Sequence, residues 1–496
     1  RKMYFQAILD YNRIFKEVHD LNIMFLYNQE QYDINGPTTL FSSLPQRKQG
    51  VAGRVSYSYD GRYYIEGNFG YNGSENFAKG HRFGFFPSIA VGYNISNEKF
   101  WQPIKPVISN LKIRGSWGLV GNDATNAGRF AYMEDLVLGG SDSYTTGIRQ
   151  DTYYSGPSWN RYFNPDLTWE VGEKINLGLD LQLFNDFNLT FDIFREKRRD
   201  IFMTRENSIP EIVGTGETKI TSNNGEMENK GLDLAIDYNK QITKDFFLSF
   251  KSTLTFARNK VLKMDEPPYF EYPGLSDVGH PLGTYWGYVA DGLFPDQETI
   301  DNSPRQDLGY TPQPGDIKYV NQPNAKGEYD NVINSNDRVA IGHPYDPELV
   351  YGFGPSMKWK NWDFSFFFQG VARTSFMMYG MHPFGTTSIK NMLQFVADDH
   401  WSVDNPNPNA AYPRLTKDSN GNNDQYSTYW LRNAAFLKLK NAEIGYTYKG
   451  MRFYLSGVNL LTFSPFKHWD PEMGGGNGLY YPTQRVFNIG FQMTIQ

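Results

Sequence analysis

The chain has 496 residues, no cysteine and a formal net charge of −6 at pH 7. The lack of cysteine excludes a disulfide scaffold and thiolate metal sites, and the negative charge disfavours nucleic acid as the main partner. No run of eighteen apolar residues occurs, so the sequence predicts no transmembrane helix.

In chain order, apolar and polar residues alternate with a period of two, which predicts β-strands. In segment 168–184, for example, Ile175, Leu177 and Leu179 share one face and Asn176 lies on the other. Fifteen segments are predicted as strands: 1–12, 15–30, 47–60, 61–73, 83–97, 109–121, 168–184, 187–202, 227–242, 245–259, 347–360, 362–376, 432–448, 451–463 and 484–496.

The apolar faces of 175–183, 187–193, 232–238 and 487–495 carry no charged residue. A lysine or arginine that faces lipid at the bilayer midplane costs about 2–4 kcal/mol, so membrane-facing strands are selected for such faces. A single strand of a soluble sandwich would alternate in the same way. Strands of soluble proteins average about 5–6 residues, however, whereas many of these segments exceed the roughly 9–11 residues that span a membrane.

The connections between the segments alternate between short and long. Short connections are predicted around Asn12, Asp60-Gly61, Asn185-Asp186, Thr243-Lys244, Asn361 and Lys449-Gly450, with a somewhat longer one at 98–108. Long connections are predicted at 31–46, 74–82, 122–167, 203–226, 260–346, 377–431 and 464–483. This alternation is typical of outer-membrane barrels, which have short periplasmic turns and long extracellular loops. We therefore predict an all-β fold, a transmembrane antiparallel β-barrel domain over residues 1–496.

The count of fifteen strands is odd, whereas bacterial single-chain barrels have even numbers of strands. Fifteen strands are therefore not expected to close a barrel alone. The chain begins at Arg1, without an initiator methionine or a signal peptide. Both observations predict that the sequence is the C-terminal part of a larger barrel protein.

Several sequence stretches resemble the SusC/RagA family of TonB-dependent transporters from Bacteroidota. They follow one another in order: ENFAKGHRFGFFPS at 75–88, LKIRGSWG at 111–118, NPDLTWE at 164–170, GYVADGLF at 287–294, PGDIKY at 314–319, WLRNAAFLKLK at 430–440 and GVNL at 457–460. The resemblance implies a barrel of about 22 strands with an internal plug. Seven strands, the plug and the TonB-contacting segment would then be absent from this chain.

The same resemblance implies a multi-pass protein of the bacterial outer membrane, surrounded by lipid bilayer and lipopolysaccharide. It implies import of a bulky nutrient, an oligosaccharide or an oligopeptide, energised by TonB–ExbB–ExbD. A SusD-like surface lipoprotein is the expected lid over the extracellular mouth. No cofactor is expected.

The sequence predicts no enzyme. It contains no G-x-S-x-G, H-E-x-x-H or P-loop motif, and its seven histidines lack metal-ligand spacing. Two carboxylates could still form a glycosidase pair in the fold. Solvated loop carboxylates account for the same residues more simply.

One loop carries a calcium hypothesis. The related family often has a calcium-loop-like run after the G-D-I-K-Y stretch, and Ca²⁺ takes six to eight oxygen ligands. Here the region keeps Asp316, Asp330 and Asp337 but also contains Lys326. A structural calcium ion is one interpretation; a polar turn held by Asx side chains is the other.

The long loops are also rich in aromatic residues. Such side chains can bind sugar rings or peptide side chains. The candidate ligand-binding residues are Tyr153, Tyr154, Trp159, Tyr162, Tyr285 and Trp286. The alternative is that they pack loop against loop, or form the aromatic girdle at the membrane interface.

Three functions remain open at this stage. The first is active import across the outer membrane. The second is a SusC-like barrel that serves as a structural subunit of a larger envelope complex. The third is a secreted β-rich glycan-binding protein.

Overall fold

The computed structural model describes residues 1–124, 128–139, 143–205, 207, 209–210, 212, 220–380, 392–416 and 419–493. Within these ranges, no helix has both the length and the apolar character needed to cross a membrane. The helices that occur are single turns. They lie at Leu40–Ser43, Gln297–Asp301 and Gln394–Asp398, with 3-10 turns at Ile95–Asn97, Lys99–Trp101, Pro273–Leu275, Ser335–Asp337 and Pro471–Met473.

The described residues form one large antiparallel sheet of fifteen strands, in which each strand lies beside its neighbours in the sequence. In chain order the strands are β1 (Lys2–Phe15), β2 (His19–Tyr32), β3 (Gln46–Tyr59), β4 (Tyr63–Ser74), β5 (Phe83–Asn94), β6 (Ile108–Asn122), β7 (Glu170–Leu183), β8 (Phe187–Arg205), β9 (Ile220–Thr243), β10 (Phe246–Lys263), β11 (Leu349–Trp359), β12 (Trp362–Ala372), β13 (Phe436–Tyr448), β14 (Met451–Phe463) and β15 (Val486–Met493).

The fifteen predicted strands are confirmed in the described residues, and short and long connections alternate with one exception. The connection at 95–107 stands in a short position but, with 13 residues, is longer than the 8-residue connection at 75–82, which stands in a long position. The short connections now lie at 16–18, 60–62, 95–107, 184–186, 244–245, 360–361 and 449–450. The long connections lie at 33–45, 75–82, 123–169, 206–219, 264–348, 373–435 and 464–485. The predicted end of the last strand, residues 494–496, lies outside the described residues.

The turn predicted around Asn12 is wrong. Asn12 pairs with Asn22 inside the β1–β2 ladder, which continues to the pair Phe15 and His19. The chain reverses at Lys16 and Glu17, which adopt left-handed backbone conformations with φ of 47° and 60°. These residues carry no Gly, Asn or Asp signal, so a local reading of turn chemistry places the turn too early.

The outward-facing apolar residues of the sheet remain exposed to the surroundings. Leu177 in β7 is 57% exposed and Ile489 in β15 is 87% exposed. A soluble sandwich would bury such residues between its two sheets. Long strands with exposed apolar faces, uncharged over 175–183 and 487–493, are instead what a lipid environment requires.

The described chain divides by its contacts into two compact units. The first comprises Arg1–Leu232 and Asn259–Pro267, and it has a small hydrophobic core of Phe77, Ala131, Leu167 and Trp169. Its long connection at 123–169 contains two short antiparallel strand pairs. These pair Asp135–Val137 with Ser158–Arg161, and Ser143–Thr146 with Thr152–Ser155.

The second unit comprises Asp233–Arg258 and Pro268–Gln496. Its long connections fold into a layer with a hydrophobic core of their own: Tyr288, Leu293, Ile317, Tyr319, Ile333, Ile341, Phe376, Met377, Met378, Val396, Trp401, Ala410, Tyr412, Trp430, Ala434 and Phe466. Four small strand pairs support this core: Tyr285–Gly287 with Val339–Ile341, Ala290–Leu293 with Ile317–Tyr319, Arg305–Gln306 with Val332–Ile333, and Ser375–Met377 with Leu431–Asn433. Loops of this length without secondary structure are uncommon, and these are folded.

Candidate functional site

A buried carboxylate, Asp316, fastens two long connections of the second unit to each other. Its side chain is fully buried and accepts hydrogen bonds from Arg414 Nε at 2.8 Å, Asn420 Nδ2 at 3.0 Å and Asn423 Nδ2 at 2.8 Å. The backbone N–H of Gln313 donates a further bond at 2.8 Å. Because a buried charge is tolerated only when it is paired and hydrogen-bonded, this network fixes 264–348 against 373–435.

A pocket of about 170 Å³ lies beside this network. Its wall includes Arg414, Asn420 and Asn423 from the network itself. The remaining wall is largely apolar, and its principal side chains are Met378, Val396, Tyr412, Pro413, Leu415 and Trp430. A concave, mostly apolar site with a few fixed polar groups is the usual form of a small binding site.

Two tyrosines that line the pocket, Tyr379 and Tyr426, interact with three further tyrosines, and we call Tyr285, Tyr345, Tyr379, Tyr426 and Tyr480 the tyrosine cluster. Tyr285 is partly buried and the other four are exposed. Tyr379 and Tyr426 line the pocket and are about half exposed. The hydroxyls of Tyr379 and Tyr480 are hydrogen-bonded to each other, which raises the pKa of Tyr379. Burial, with the neighbouring Tyr345 and Tyr426, raises the pKa of Tyr285 to about 12. The phenols of Tyr285 and Tyr379 therefore stay neutral at physiological pH and can donate hydrogen bonds.

A second buried ionic network holds the connection at 464–485 to strand β13 of the sheet. The fully buried Lys438, on β13, places its Nζ 2.6 Å from Asp470 and 2.5 Å from Glu472. Lys440, two residues further along the same strand, also contacts Glu472, at 2.6 Å. A buried ammonium needs such partners, so this connection is tied directly to the sheet.

The sequence-predicted residues Tyr285 and Trp286 lie at the edge of the loop core. Tyr285 pairs with Ile341 in a short strand pair, and both aromatic residues are partly buried. The Trp286 indole N–H donates to Asp277 at 2.6 Å, and His280 packs edge-on against its ring. These contacts favour a packing role for Trp286, while Tyr285 also belongs to the tyrosine cluster.

The other four predicted aromatic residues belong to the first unit, where Tyr153, Tyr154 and Trp159 are exposed and Tyr162 is partly buried. Tyr153 and Tyr154 lie on one strand of a small hairpin and are 62% and 47% exposed. Trp159 and Tyr162 stack with ring centroids 5.5 Å apart. The sequence reasoning did not select Tyr144, which stacks on Tyr154 at 5.2 Å from the opposite strand. Tyr144 is brought onto Tyr154 by the pairing of two four-residue strands, and local sequence patterns do not reveal that pairing.

The three aspartates of the calcium hypothesis have separate protein partners. Asp316 is held as described above, and Asp330 accepts a bond from the backbone N–H of Val332 at 3.0 Å. Asp337 accepts two backbone N–H bonds at 2.7 Å, and burial raises its pKa. Among the described residues no group of three or more histidines or carboxylates could hold a metal ion. A calcium ion stays a prediction. The contacts of Asp330 and Asp337 are those of Asx-type turns and caps, whereas Asp316 is paired with Arg414.

Comparison with known proteins agrees with this architecture. The family model described as "TonB dependent receptor-like, beta-barrel" matches residues 3–460. TonB-dependent receptor SusC of Bacteroides thetaiotaomicron is 29% identical over 89% of this chain and 43% of its own length. TonB-dependent receptor P3 of Formosa agariphila is 27% identical over 89% of this chain and 45% of its own length.

Solved structures give the same fold. The RagAB peptide transporter has a TM-score of 0.74 at 21% identity, over 99% of this chain and 55% of the matched chain. The RagAB peptide importer in its "open-open" state has a TM-score of 0.77 at 20% identity, over the whole of this chain and 54% of the matched chain.

The chain spans less than half the length of these curated relatives. The match nevertheless covers most of the chain, and it confirms the resemblance to SusC and RagA that the sequence motifs indicated. The chain therefore belongs to the TonB-dependent receptor-like β-barrel family, and its protein is a bacterial outer-membrane protein.

Proposed function

We propose that the protein imports a bulky nutrient, an oligosaccharide or an oligopeptide, across the outer membrane with energy supplied through TonB. The observation that carries this proposal is the folded loop layer of the second unit, which presents a pocket and exposed tyrosines beside membrane-spanning strands. A barrel that served only as a wall would need no such layer. The names of its relatives, receptors and a peptide transporter, agree with this function.

In this proposal the whole of 1–496 is barrel domain, and its long connections face the cell exterior. The five longest, at about 122–167, 203–226, 260–346, 377–431 and 464–483, would form the mouth that first meets the nutrient. The short connections would then face the periplasm. This orientation follows the usual asymmetry of outer-membrane barrels.

The partners are proposed on the basis of the family resemblance. A SusD-like lipoprotein would close over the extracellular mouth as a lid. TonB–ExbB–ExbD would transmit the energy of the inner-membrane proton gradient to the plug. The tyrosine-rich loops would bind the nutrient without a cofactor and without catalysing a reaction, because the work is transport rather than bond cleavage.

A deletion strain tests the proposal. The gene is deleted in its source bacterium, and growth is measured on single defined glycans and on protein hydrolysates, with complementation by the wild-type gene. Import predicts loss of growth on one class of polymer, with normal growth on monosaccharides and free amino acids. Abolishing the TonB system should produce the same nutrient defect while surface binding of the nutrient persists.

A general envelope defect together with normal uptake of every nutrient tested would contradict import. It would support the rival function, a structural subunit of a larger outer-membrane complex. Co-purification separates the partners in turn: the SusD-like lipoprotein should be recovered with the tagged barrel after mild detergent extraction. Recovery of the barrel alone would contradict the proposed SusD-like lipoprotein partner.

A further inference from the structure

The pocket beside Asp316 has polar groups whose hydrogen bonds are already used within the protein. Asn420 and Asn423 each donate to Asp316 through Nδ2, and their Oδ1 atoms accept backbone N–H groups. Arg414 donates to Asp316 and to the hydroxyl of Tyr310. The carboxamides of Asn420 and Asn423 are therefore already engaged within the protein. Asp424 and Thr416 also line the pocket, and Asp424 accepts a hydrogen bond from Ser419 Oγ at 2.8 Å.

Three other polar side chains of the wall also have hydrogen-bond partners within the protein. The indole N–H of Trp430 donates to the backbone oxygen of Asn423 at 2.7 Å. The hydroxyl of Tyr412 lies 3.2 Å from Nε2 of His468, and Gln425 donates to the backbone oxygen of Gly421 at 2.7 Å. Most of the remaining wall is apolar and includes Met378, Val396 and Leu415, so apolar contact is the main interaction that the pocket offers to a ligand.

This chemistry separates two classes of ligand. A sugar ring carries hydroxyl groups around its edge, and each one that is buried without a partner weakens binding. An aromatic or branched aliphatic side chain needs no such partner. An apolar cavity of about 150 Å³ holds a benzene ring, so a pocket of about 170 Å³ has room for one such side chain.

We infer that this pocket binds one large apolar side chain of an oligopeptide, with the tyrosine cluster contacting the peptide on either side of it. The inference rests on the proposed import function and chooses peptide over glycan as its substrate class. The rim suits a peptide backbone because Tyr379 and Tyr426 are about half exposed and carry hydroxyl groups. Each peptide group can exchange hydrogen bonds with such hydroxyls at the mouth, while the side chain fills the interior.

Binding to the intact outer-membrane protein in detergent tests the inference. The probes are capped pentapeptides Gly-Gly-Xaa-Gly-Gly in which Xaa is leucine, phenylalanine, alanine or serine, with maltotetraose as the sugar probe. Saturation-transfer NMR detects weak binding and titration gives the dissociation constant. The leucine and phenylalanine peptides should bind about tenfold to a hundredfold more tightly than the serine peptide, the value of burying one such side chain.

Two variants locate the site. Val396→Trp fills the pocket and should abolish the preference for leucine and phenylalanine. Val403→Trp adds the same side chain at a position that is 84% exposed, and it should leave the preference unchanged. If Val396→Trp fails to fold, Leu415→Ala provides the second measurement: the enlarged pocket should shift the preference from leucine towards phenylalanine by at least threefold.

Tighter binding of maltotetraose than of every peptide would overturn the inference, as would a peptide preference that persists in folded Val396→Trp. Either result leaves import itself untouched, because import is measured by growth of the deletion strain. If the deletion strain loses import and the purified wild-type protein prefers the leucine and phenylalanine peptides, both the pocket and the function are supported. A peptide preference in a protein whose deletion affects no nutrient would remove the function and retain the pocket.

Discussion

Replacing Asp316 by asparagine should open the loop layer of the second unit while leaving the sheet intact. The substitution keeps the size of the side chain but removes the negative charge opposite Arg414. It also turns one acceptor oxygen into an N–H₂ group, which faces the donors of Arg414, Asn420 or Asn423. The guanidinium of Arg414, which is only 16% exposed, then lies without its counter-charge.

The expected magnitude follows from this geometry. Removing one partner of a buried ion pair costs about 3–5 kcal/mol, because the other charge is left uncompensated. At about 1.4 kcal/mol for each factor of ten, the opening equilibrium of the loop layer should rise by roughly a hundredfold to a few thousandfold. The strands of the sheet do not depend on this contact, so their opening equilibria should stay the same.

Hydrogen–deuterium exchange of the intact protein measures this directly. Peptides that cover 290–319 and 410–430 should exchange faster in the variant by the stated factor, whereas peptides from β13 and β14 should not change. Asp307→Asn is the matched control, because the Asp307–Arg305 pair lies 3.4 Å apart with both side chains more than half exposed. Exposed pairs contribute about 0–1 kcal/mol, so the control should change exchange by no more than about fivefold.

The reasoning fails if Asp316→Asn changes exchange no more than Asp307→Asn does. It also fails if the strand peptides lose protection together with the loops, because the network would then support the sheet rather than the loop layer. A double variant that replaces both Asp316 and Arg414 by leucine adds a further check. It should be less destabilised than the sum of the two single variants, since neither charge is left alone.

Three other substitutions test separate parts of the structure. Leu177→Arg places a charge on the exposed apolar face of β7 and should destabilise the membrane-inserted fold by about 2–4 kcal/mol. Gln182→Arg, on the opposite face of the same strand, should be tolerated. Heat-modifiable gel migration of membrane fractions distinguishes the two variants. In Gly475→Ala the new Cβ would lie 2.4 Å from the backbone oxygen of Met377, so limited proteolysis of 464–485 should accelerate. In the control Gly274→Ala no atom lies within 4 Å of the new Cβ, so this variant should behave as wild type. Burial raises and Lys438 lowers the pKa of Asp470 and Glu472, and the net pKa of each carboxyl lies below its ordinary value. Their stabilising effect is therefore present above about pH 4 and is lost as the pH falls through the lowered values, so proteolysis of 464–485 should increase only in acid. Lys438→Met should make this segment protease-sensitive at neutral pH as well.

The strands could be predicted from the sequence because their signal is local. A membrane-facing strand must keep every second residue apolar and uncharged, and that constraint is visible within ten residues of sequence. The alternation of short and long connections then followed from the positions of the strands. The turn at Lys16 and Glu17 was misplaced because its residues lack the usual turn chemistry and its conformation is imposed by the ladder around it.

The candidate site could be predicted only in part. Composition pointed to aromatic residues in long loops, and one of them, Tyr285, belongs to the tyrosine cluster; their binding role stays a prediction. The other members of the cluster, Tyr345, Tyr379, Tyr426 and Tyr480, come from three connections that lie far apart in the sequence. Their proximity is set by long-range packing of the loop core and by the network at Asp316. No spacing rule within one segment contains that information.

The shared core of the loop layer has a consequence for how specificity can change. Residues from 264–348, 373–435 and 464–485 pack into one another. Asp316 fastens the first of these connections to the second, and Lys438 fastens the third to β13. If a single connection were replaced by that of a relative, the new segment would lack the residues of the other two connections against which it packs in its own protein. Chimaeras intended to transfer nutrient preference should therefore exchange all three connections together and should keep the strands that carry these connections.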